Sequence, residues 1–280
     1  MAYTAEISRT NPSCFLFIID QSSSMADRYR DIRRPKADAV ADVINRMLQQ
    51  LVIKCAKSEG IRDYYYVGVL GYHEHSVNSA LKGILAGKEF LPISEVAAAP
   101  LRMEERVRRL PDEAGGLVEM PVKFPVWLDP VADGGTPMVA AFTKANQLIE
   151  KWLRSHPNSF PPVVIHITDG ESTDGPPSRQ MQLLTEQRSS DGSVLLFNLH
   201  THTGNIESLS FPGPDSNLLD PYAKLLFDNA SELPEFMLNV AKREFDLKLP
   251  QGARAFVLNG SIDLIITAIE IGTRPRLQLK

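Results

Sequence analysis

Four short stretches of this chain are apolar almost throughout: Cys14-Phe-Leu-Phe-Ile-Ile19, Tyr64-Tyr-Tyr-Val-Gly-Val-Leu70, Val163-Val-Ile-His-Ile167 and Val194-Leu-Leu-Phe-Asn-Leu199. Near-continuous Val, Ile, Leu and aromatic content without strict alternation is what a strand covered on both faces requires. Between these runs the apolar spacing changes to steps of three and four. Val40, Val43, Ile44, Met47, Leu48, Leu51 and Cys55 make one stripe of a long helix, with Gly60 as its expected stop. Met138, Ala141, Phe142, Ala145, Ile149 and Trp152 make a second, and Lys151 and Arg154 complement its C-terminal dipole. Met181, Leu184 and Arg188 predict a shorter helix before a turn at Asp191-Gly192. Phe236, Met237, Val240 and Ala241 predict another, with Ser231 as N-cap. A last stripe, Ile262, Ile265, Ile266 and Ile269, follows Asn259-Gly260-Ser261.

Strand and helix alternate for most of the length, which predicts an α/β fold: a doubly wound, mostly parallel sheet with helices on both faces. The exception is roughly 76–130, rich in proline and broken by Gly115-Gly116. There Met103, Val107 and Leu110 are spaced to face inward from a short helix, with Arg102, Arg106, Arg108 and Arg109 outside. About 50 residues of this composition would bury little core alone, so the stretch is expected as an insertion packed on the sheet. The whole reads as a single domain over 1–280, with that insertion after the second strand and a strand–helix extension at about 250–280.

Composition narrows the function classes. The chain has 280 residues, 43% of them hydrophobic and 23% charged, enough to bury a full core. Its 34 acidic and 30 basic side chains leave a charge of −4, which argues against a general nucleic-acid binder. Cys14 and Cys55 can form at most one bridge, so this is neither a disulfide scaffold nor a Cys-ligated zinc domain. The apolar run at 14–19 is too short for a signal segment or a membrane span, and a cytoplasmic location is expected.

Three loops carry candidate chemistry. After the first strand, Asp20-Gln-Ser22-Ser-Ser24 places a carboxylate and two alternating hydroxyls on one small loop, hard oxygens suited to Mg²⁺ or Mn²⁺. The same residues can also cap the turn and the next helix. Asp133-Gly-Gly-Thr136-Pro137 offers another hydroxyl; Pro137 fits the first helical position, which would make Thr136 a plain N-cap, yet two glycines also permit a close approach. Thr168-Asp169-Gly170-Glu171 ends another buried strand, as a turn or as a site. If the strands ending at Asp20 and Asp169 flank the reversal of strand order, both carboxylates reach one crevice.

Asp20-x-Ser22-x-Ser24, then Thr136 in Gly-Gly-Thr-Pro, then Thr-Asp-Gly after an apolar strand, resembles the von Willebrand factor A-type domain with its metal-ion-dependent adhesion site. The resemblance spans about 15–245. It implies that Ser22, Ser24 and Thr136 coordinate a metal by their hydroxyls, and Asp20 and Asp169 by carboxylate, directly or through water. Mg²⁺ is the implied ion, with Mn²⁺ or Ca²⁺ compatible, and the implied partner is a protein offering an Asp or Glu to it. The closing Arg254-Ala-Phe-Val-Leu-Asn259 segment and helix are similar to bacterial cytoplasmic members associated with tellurite-resistance-type stress operons. That likeness implies a place beside a protein kinase and a PP2C-type phosphatase.

The alternative is a metal-dependent hydrolase or phosphotransferase with Asp20 as nucleophile. An Asp-x-Asp pair would support it, but the second position is Ser22, and neither a nucleophile elbow nor a phosphate-binding Gly-rich loop occurs. Glu171 and Asp174 are the candidate bases. His73 with His75, and His200 with His202, are spaced to share a strand face and hold a metal, while His166 reads as a core histidine. Arg28, Arg30, Arg33, Arg34 and Lys36 form a run interspersed with Asp27, Asp31 and Asp38. It is either a solvated, balanced surface or, with the Arg102–Arg109 face, a patch that steers an acidic partner.

Overall fold

A computed structural model describes residues 3–28, 34–74, 76–111, 117–201 and 207–272. Apart from two hairpins of two-residue strands (Ala56–Lys57 with Gly60–Ile61, and Arg188–Ser189 with Gly192–Ser193), the strands in chain order are β1 (Ser13–Asp20), β2 (Tyr65–His73), β3 (Ser76–Ser79), β4 (Leu91–Pro92), β5 (Arg102–Pro111), β6 (Leu117–Val126), β7 (Val163–Thr168), β8 (Leu195–His200), β9 (Leu209–Ser210) and β10 (Phe256–Leu258). The helices are α1 (Lys36–Cys55), α2 (Ile93–Ala98), α3 (Met138–Ser155), α4 (Ser178–Glu186), α5 (Pro221–Asp228), α6 (Glu235–Phe245) and α7 (Ile262–Gly272). Each of the four apolar runs has become a strand, β1, β2, β7 and β8.

These strands join an eight-stranded sheet in the order β9-β10-β8-β7-β1-β2-β3, with β4 also on β2. Its five middle strands are parallel, and β3, β4 and β9 run antiparallel at the edges. The fold is therefore α/β with a mostly parallel central sheet flanked by helices. Counted along the chain, the parallel strands lie in the order 2-1-3-4-5, so the winding reverses between β1 and β7.

Alternation along β1 explains why its sequence is apolar at every position. Phe15, Phe17 and Ile19 join a core with α1, α6 and α7, while Cys14, Leu16 and Ile18 join a second with α3, α4 and α5. Each fully buried side chain of this size stabilises by about 1.5 to 3 kcal/mol. Cys14 and Cys55 are both buried, free, and on opposite sides of the sheet.

The stretch from 102 to 110 is a strand, not the helix its 103/107/110 spacing suggested. β5 pairs with β6 in an antiparallel hairpin in which Met103 faces Pro125 and Val107 faces Pro121. Pro121 and Pro125 forbid a helix on the second strand, yet are tolerated in a ribbon of two edges. Arg102, Glu104 and Arg106 alternate on one face and pair with each other, and the Arg106 guanidinium lies 3.6 Å over the Phe124 ring. Met103 and Val107, expected to face inward, are exposed.

Three boundaries also shift. α1 stops at Cys55, and Gly60, at φ +118°, instead serves the tight hairpin that follows. Arg188 lies beyond α4 in a two-residue strand. Ser231 does not cap α6; its hydroxyl accepts from the Leu196 N–H at 2.9 Å, tying the chain to β8. Within 76–130, β3 and β4 extend the sheet, and Leu91, Ile93, Val96, Trp127 and Leu128 join the α1-side core. The segment expected as a C-terminal extension is integral: β10 is the fifth parallel strand, and α7 packs on α1 and α6. No helix among the described residues is long and apolar enough to cross a membrane.

Candidate functional site

The register Ile19↔Ile167 brings the C-terminal ends of β1 and β7 side by side at the reversal, so Asp20 and Asp169 leave the sheet next to each other. Asp20 is 1% exposed. Its Oδ1 accepts from the Ser22 N–H at 2.9 Å and its Oδ2 from the Thr168 hydroxyl at 2.6 Å. Burial pushes its carboxyl up to about 6; these hydrogen bonds oppose the shift and the nearby Asp169 charge adds to it. Ser22 Oγ and Ser24 Oγ are 3.1 Å apart, and Ser24 donates to Asp169 Oδ1 at 2.7 Å. Four of the five expected residues thus form one continuous hydrogen-bonded chain, with the half-buried Ser24 as its link toward solvent.

Thr136 comes in from the side, as its place before α3 requires. Its loop is pinned on two flanks: Gly134 O accepts from Ser23 N at 3.0 Å, and Gly135 O from Glu74 N at 2.9 Å. Gly134, at φ +64°, packs so tightly that a Cβ there would come 2.9 Å from Glu74 Cα. Thr136 does not cap α3. That work falls to Asp174, whose two carboxylate oxygens accept from the Val139 and Ala140 N–H groups at 2.9 Å each. Thr136 is held by its backbone instead, its N–H donating to Thr173 Oγ1 at 3.0 Å and its carbonyl accepting from Thr173 N at 2.9 Å. A Cβ at position 170 would lie 3.7 Å from Ser24 Oγ and 3.9 Å from Thr136 Oγ1. Both hydroxyls therefore border one small space that Gly170 leaves open.

A residue outside the expected set completes the cluster. The Lys36 ammonium donates to Asp169 Oδ2 at 2.7 Å, with side-chain exposures of 3% and 0%. Lysine is almost never buried unless paired, and a cation at the first turn of a helix opposes the dipole. Both costs are met here by Asp169. Lys36 is therefore no part of a solvated basic surface. Arg34 is exposed and 3.9 Å from Asp42, while Arg30 and Arg33 lie outside the described residues.

Chemically the donor set, two carboxylates and three hydroxyls, suits a hard divalent cation; Ser24 and Thr136 border the space beside Gly170, and Asp20, Ser22 and Asp169 join it through the hydrogen-bonded chain to Ser24. No group of three or more His, Cys, Asp or Glu that could hold a metal gathers among the described residues, so a cation here would depend on the hydroxyls as well as on the two carboxylates. Lys36 is the one element at odds with a fully charged metal site, because it already neutralises Asp169.

The remaining candidates have other partners. Asp174 is committed to α3, and Glu171 lies near the Tyr222 hydroxyl, whose pKa it pushes up. His166 is a buried core histidine with both ring nitrogens bonded, to Tyr72 and Asn198. His73 Nδ1 lies 3.9 Å from Asp133 Oδ2; His75 and His202 fall outside the described residues. Arg102 and Arg106 are paired with Glu104, Asp129 and Asp42, while the side chains of Arg108 and Arg109 lie outside the described residues. Beside Gly170 a cavity of about 250 Å³ opens between Met138, Pro176, Pro177, Tyr222 and Leu226.

No family model matches the chain, and no curated protein matches it. Among solved structures it is similar to the pilus adhesin SpaC from Lactobacillus rhamnosus GG, at 10% identity and a TM-score of 0.45. The match covers 93% of this chain and 30% of that chain, so the chain spans under a third of the adhesin's length.

Proposed function

We propose that this chain is a metal-dependent protein-binding module of the von Willebrand factor A type, with Asp20, Ser22, Ser24, Thr136 and Asp169 as its ligand set. The observation that carries this reading is the meeting of oxygen side chains from three loops, some 150 positions apart, at the strand-order reversal. In an open α/β sheet that is where ligands bind. Mg²⁺ is the ion that best suits the donors, with Mn²⁺ or Ca²⁺ compatible.

A bound ion of this kind supplies an electrophilic position that a carboxylate can take in place of water. The protein's own residues do the rest. Asp20 and Asp169 supply charge, the hydroxyls add oxygens without adding charge, and Gly170 keeps the space clear. An Asp or Glu of a partner protein is the matching ligand. The apolar cavity beside Gly170 suits a side chain next to that acidic residue. We assign the module to a cytoplasmic bacterial stress-response assembly, in which a protein kinase and a PP2C-type phosphatase are the partners to test first.

Titration calorimetry with Mg²⁺ should give a stoichiometric heat that Asp20→Ala abolishes. Capture of the partner should fail in EDTA, and Asp20→Ala should weaken its affinity at least about a hundredfold, ~2.7 kcal/mol. Equal affinity with and without divalent metal would reject the reading.

A further inference from the structure

We infer that Lys36 is a tethered cation that shares Asp169 with the divalent ion: it holds the metal-free site together and sets how weakly metal binds. This rests on the reading of the oxygen cluster as a metal site and adds to it a residue of opposite charge. Three observations converge on it. Lys36 Nζ is 2.7 Å from Asp169 Oδ2, and both side chains are withdrawn from water. The other oxygen of Asp169 is taken by Ser24, so the cluster has no unpaired anion on that side. Finally, Lys36 opens α1, where helix electrostatics disfavour a cation, so its position answers to Asp169 and not to the helix.

The charge count gives the consequence. With two carboxylates and one ammonium the site carries −1, not −2, so an entering dication meets half the attraction and a buried positive neighbour. Without metal the same ammonium prevents Asp20 and Asp169 from facing each other as bare, desolvated carboxylates. Lys36 thereby couples the occupancy of Asp169 to the first turn of α1, which packs on the sheet beside β1 through Ala37, Val40 and Ala41. Metal entry, by relieving Asp169 of its ammonium partner, would loosen that turn.

The test compares wild type, Lys36→Gln and Lys36→Met in titration calorimetry with Mg²⁺ and Mn²⁺, alongside thermal unfolding with and without metal. Both variants should bind metal at least about tenfold more tightly than wild type. Both should melt lower than wild type when metal-free, and gain more in melting temperature on adding Mg²⁺. A variant that folds only with metal present is the extreme of the same result. Metal affinity equal to or weaker than wild type in folded variants overturns the inference while leaving the metal site standing. Variants unfolded with and without metal also overturn it, because Lys36 would then be structural alone. Absence of any metal heat in all three proteins removes the metal site itself, and this inference with it.

Discussion

His166 shows how completely one side chain can be determined by its surroundings. Asn198 Nδ2 donates to the Leu226 carbonyl at 2.7 Å, which leaves Asn198 Oδ1 to accept from His166 Nδ1 at 3.1 Å. The ring proton therefore sits on Nδ1, and Nε2 accepts from the Tyr72 hydroxyl at 2.8 Å. Burial pushes the imidazole down to about 3, against the Asn198 hydrogen bond and with a smaller push from His200. An unfolded histidine titrates near ~6.5, so below that pH the unfolded chain takes up a proton that the folded chain refuses. Stability contributed by His166 is whole above about pH 6.5 and falls as pH drops toward 3, by up to about 1.4 kcal/mol per unit. Between pH 7.5 and pH 5, urea unfolding should show a change in stability that is more unfavourable in wild type than in His166→Gln by about 2 kcal/mol; an equal change in both would refute it. This residue was legible because it lies inside an apolar run. Lys36 was not, because it follows several arginines and its partner is 133 positions away along the chain.

Whole elements were legible in proportion to how strongly one physical demand dominated their sequence. β1, β7 and β8 are buried on both faces, so nearly every position is apolar and no other reading competes. α3 carries a single stripe because it buries a single face, whereas α1 is buried almost all round from Lys36 to Leu48 and its stripe marks only its most apolar side. The β5–β6 hairpin has no such demand, since its outer half meets little of the core; Met103 and Val107 fell at helical spacing by composition, while the period-two charges Arg102, Glu104 and Arg106 held the true signal. The start of α3 shows a different limit of local sequence. Local sequence left Thr136 open as its cap or as a ligand, but the cap comes from Asp174, 35 positions beyond the Val139 N–H that it accepts from. Because Asp174 satisfies two of the helix's first N–H groups, Asp174→Ala should cost about 1 to 2 kcal/mol in chemical denaturation. The variant should keep the far-UV circular dichroism of wild type, since the rest of α3 is anchored by Phe142, Ala145 and Ile149. A change below about 0.3 kcal/mol would show that water or another group serves those donors equally well.

At the scale of the molecule, the parallel sheet does two separable things: it positions the oxygen cluster at the reversal between β1 and β7, and it carries excursions that do not build that cluster. The arrangement of the cluster followed from motif order and one topological rule, whereas the excursion at 102–126 followed from neither. The hairpin is anchored at its base, where Phe124 and Val126 are buried, Arg106 pairs with Asp42 of α1, and Trp127 donates to the Val96 carbonyl at 2.7 Å. Its outer half exposes Val107, Val118 and Met120. A two-stranded ribbon of this kind contributes little stability of its own. Arg106 and Val122 are directly paired, so replacing residues 107–121 by Asn-Gly would close the ladder with a two-residue turn and keep every anchor at the base. The shortened protein should unfold within about 1 kcal/mol of wild type and bind Mg²⁺ with an affinity within about twofold. Metal affinity lost on shortening, measured by the same calorimetric titration, would mean that the hairpin holds the Asp20 loop in place through α1, and that the sheet alone does not suffice to assemble the cluster.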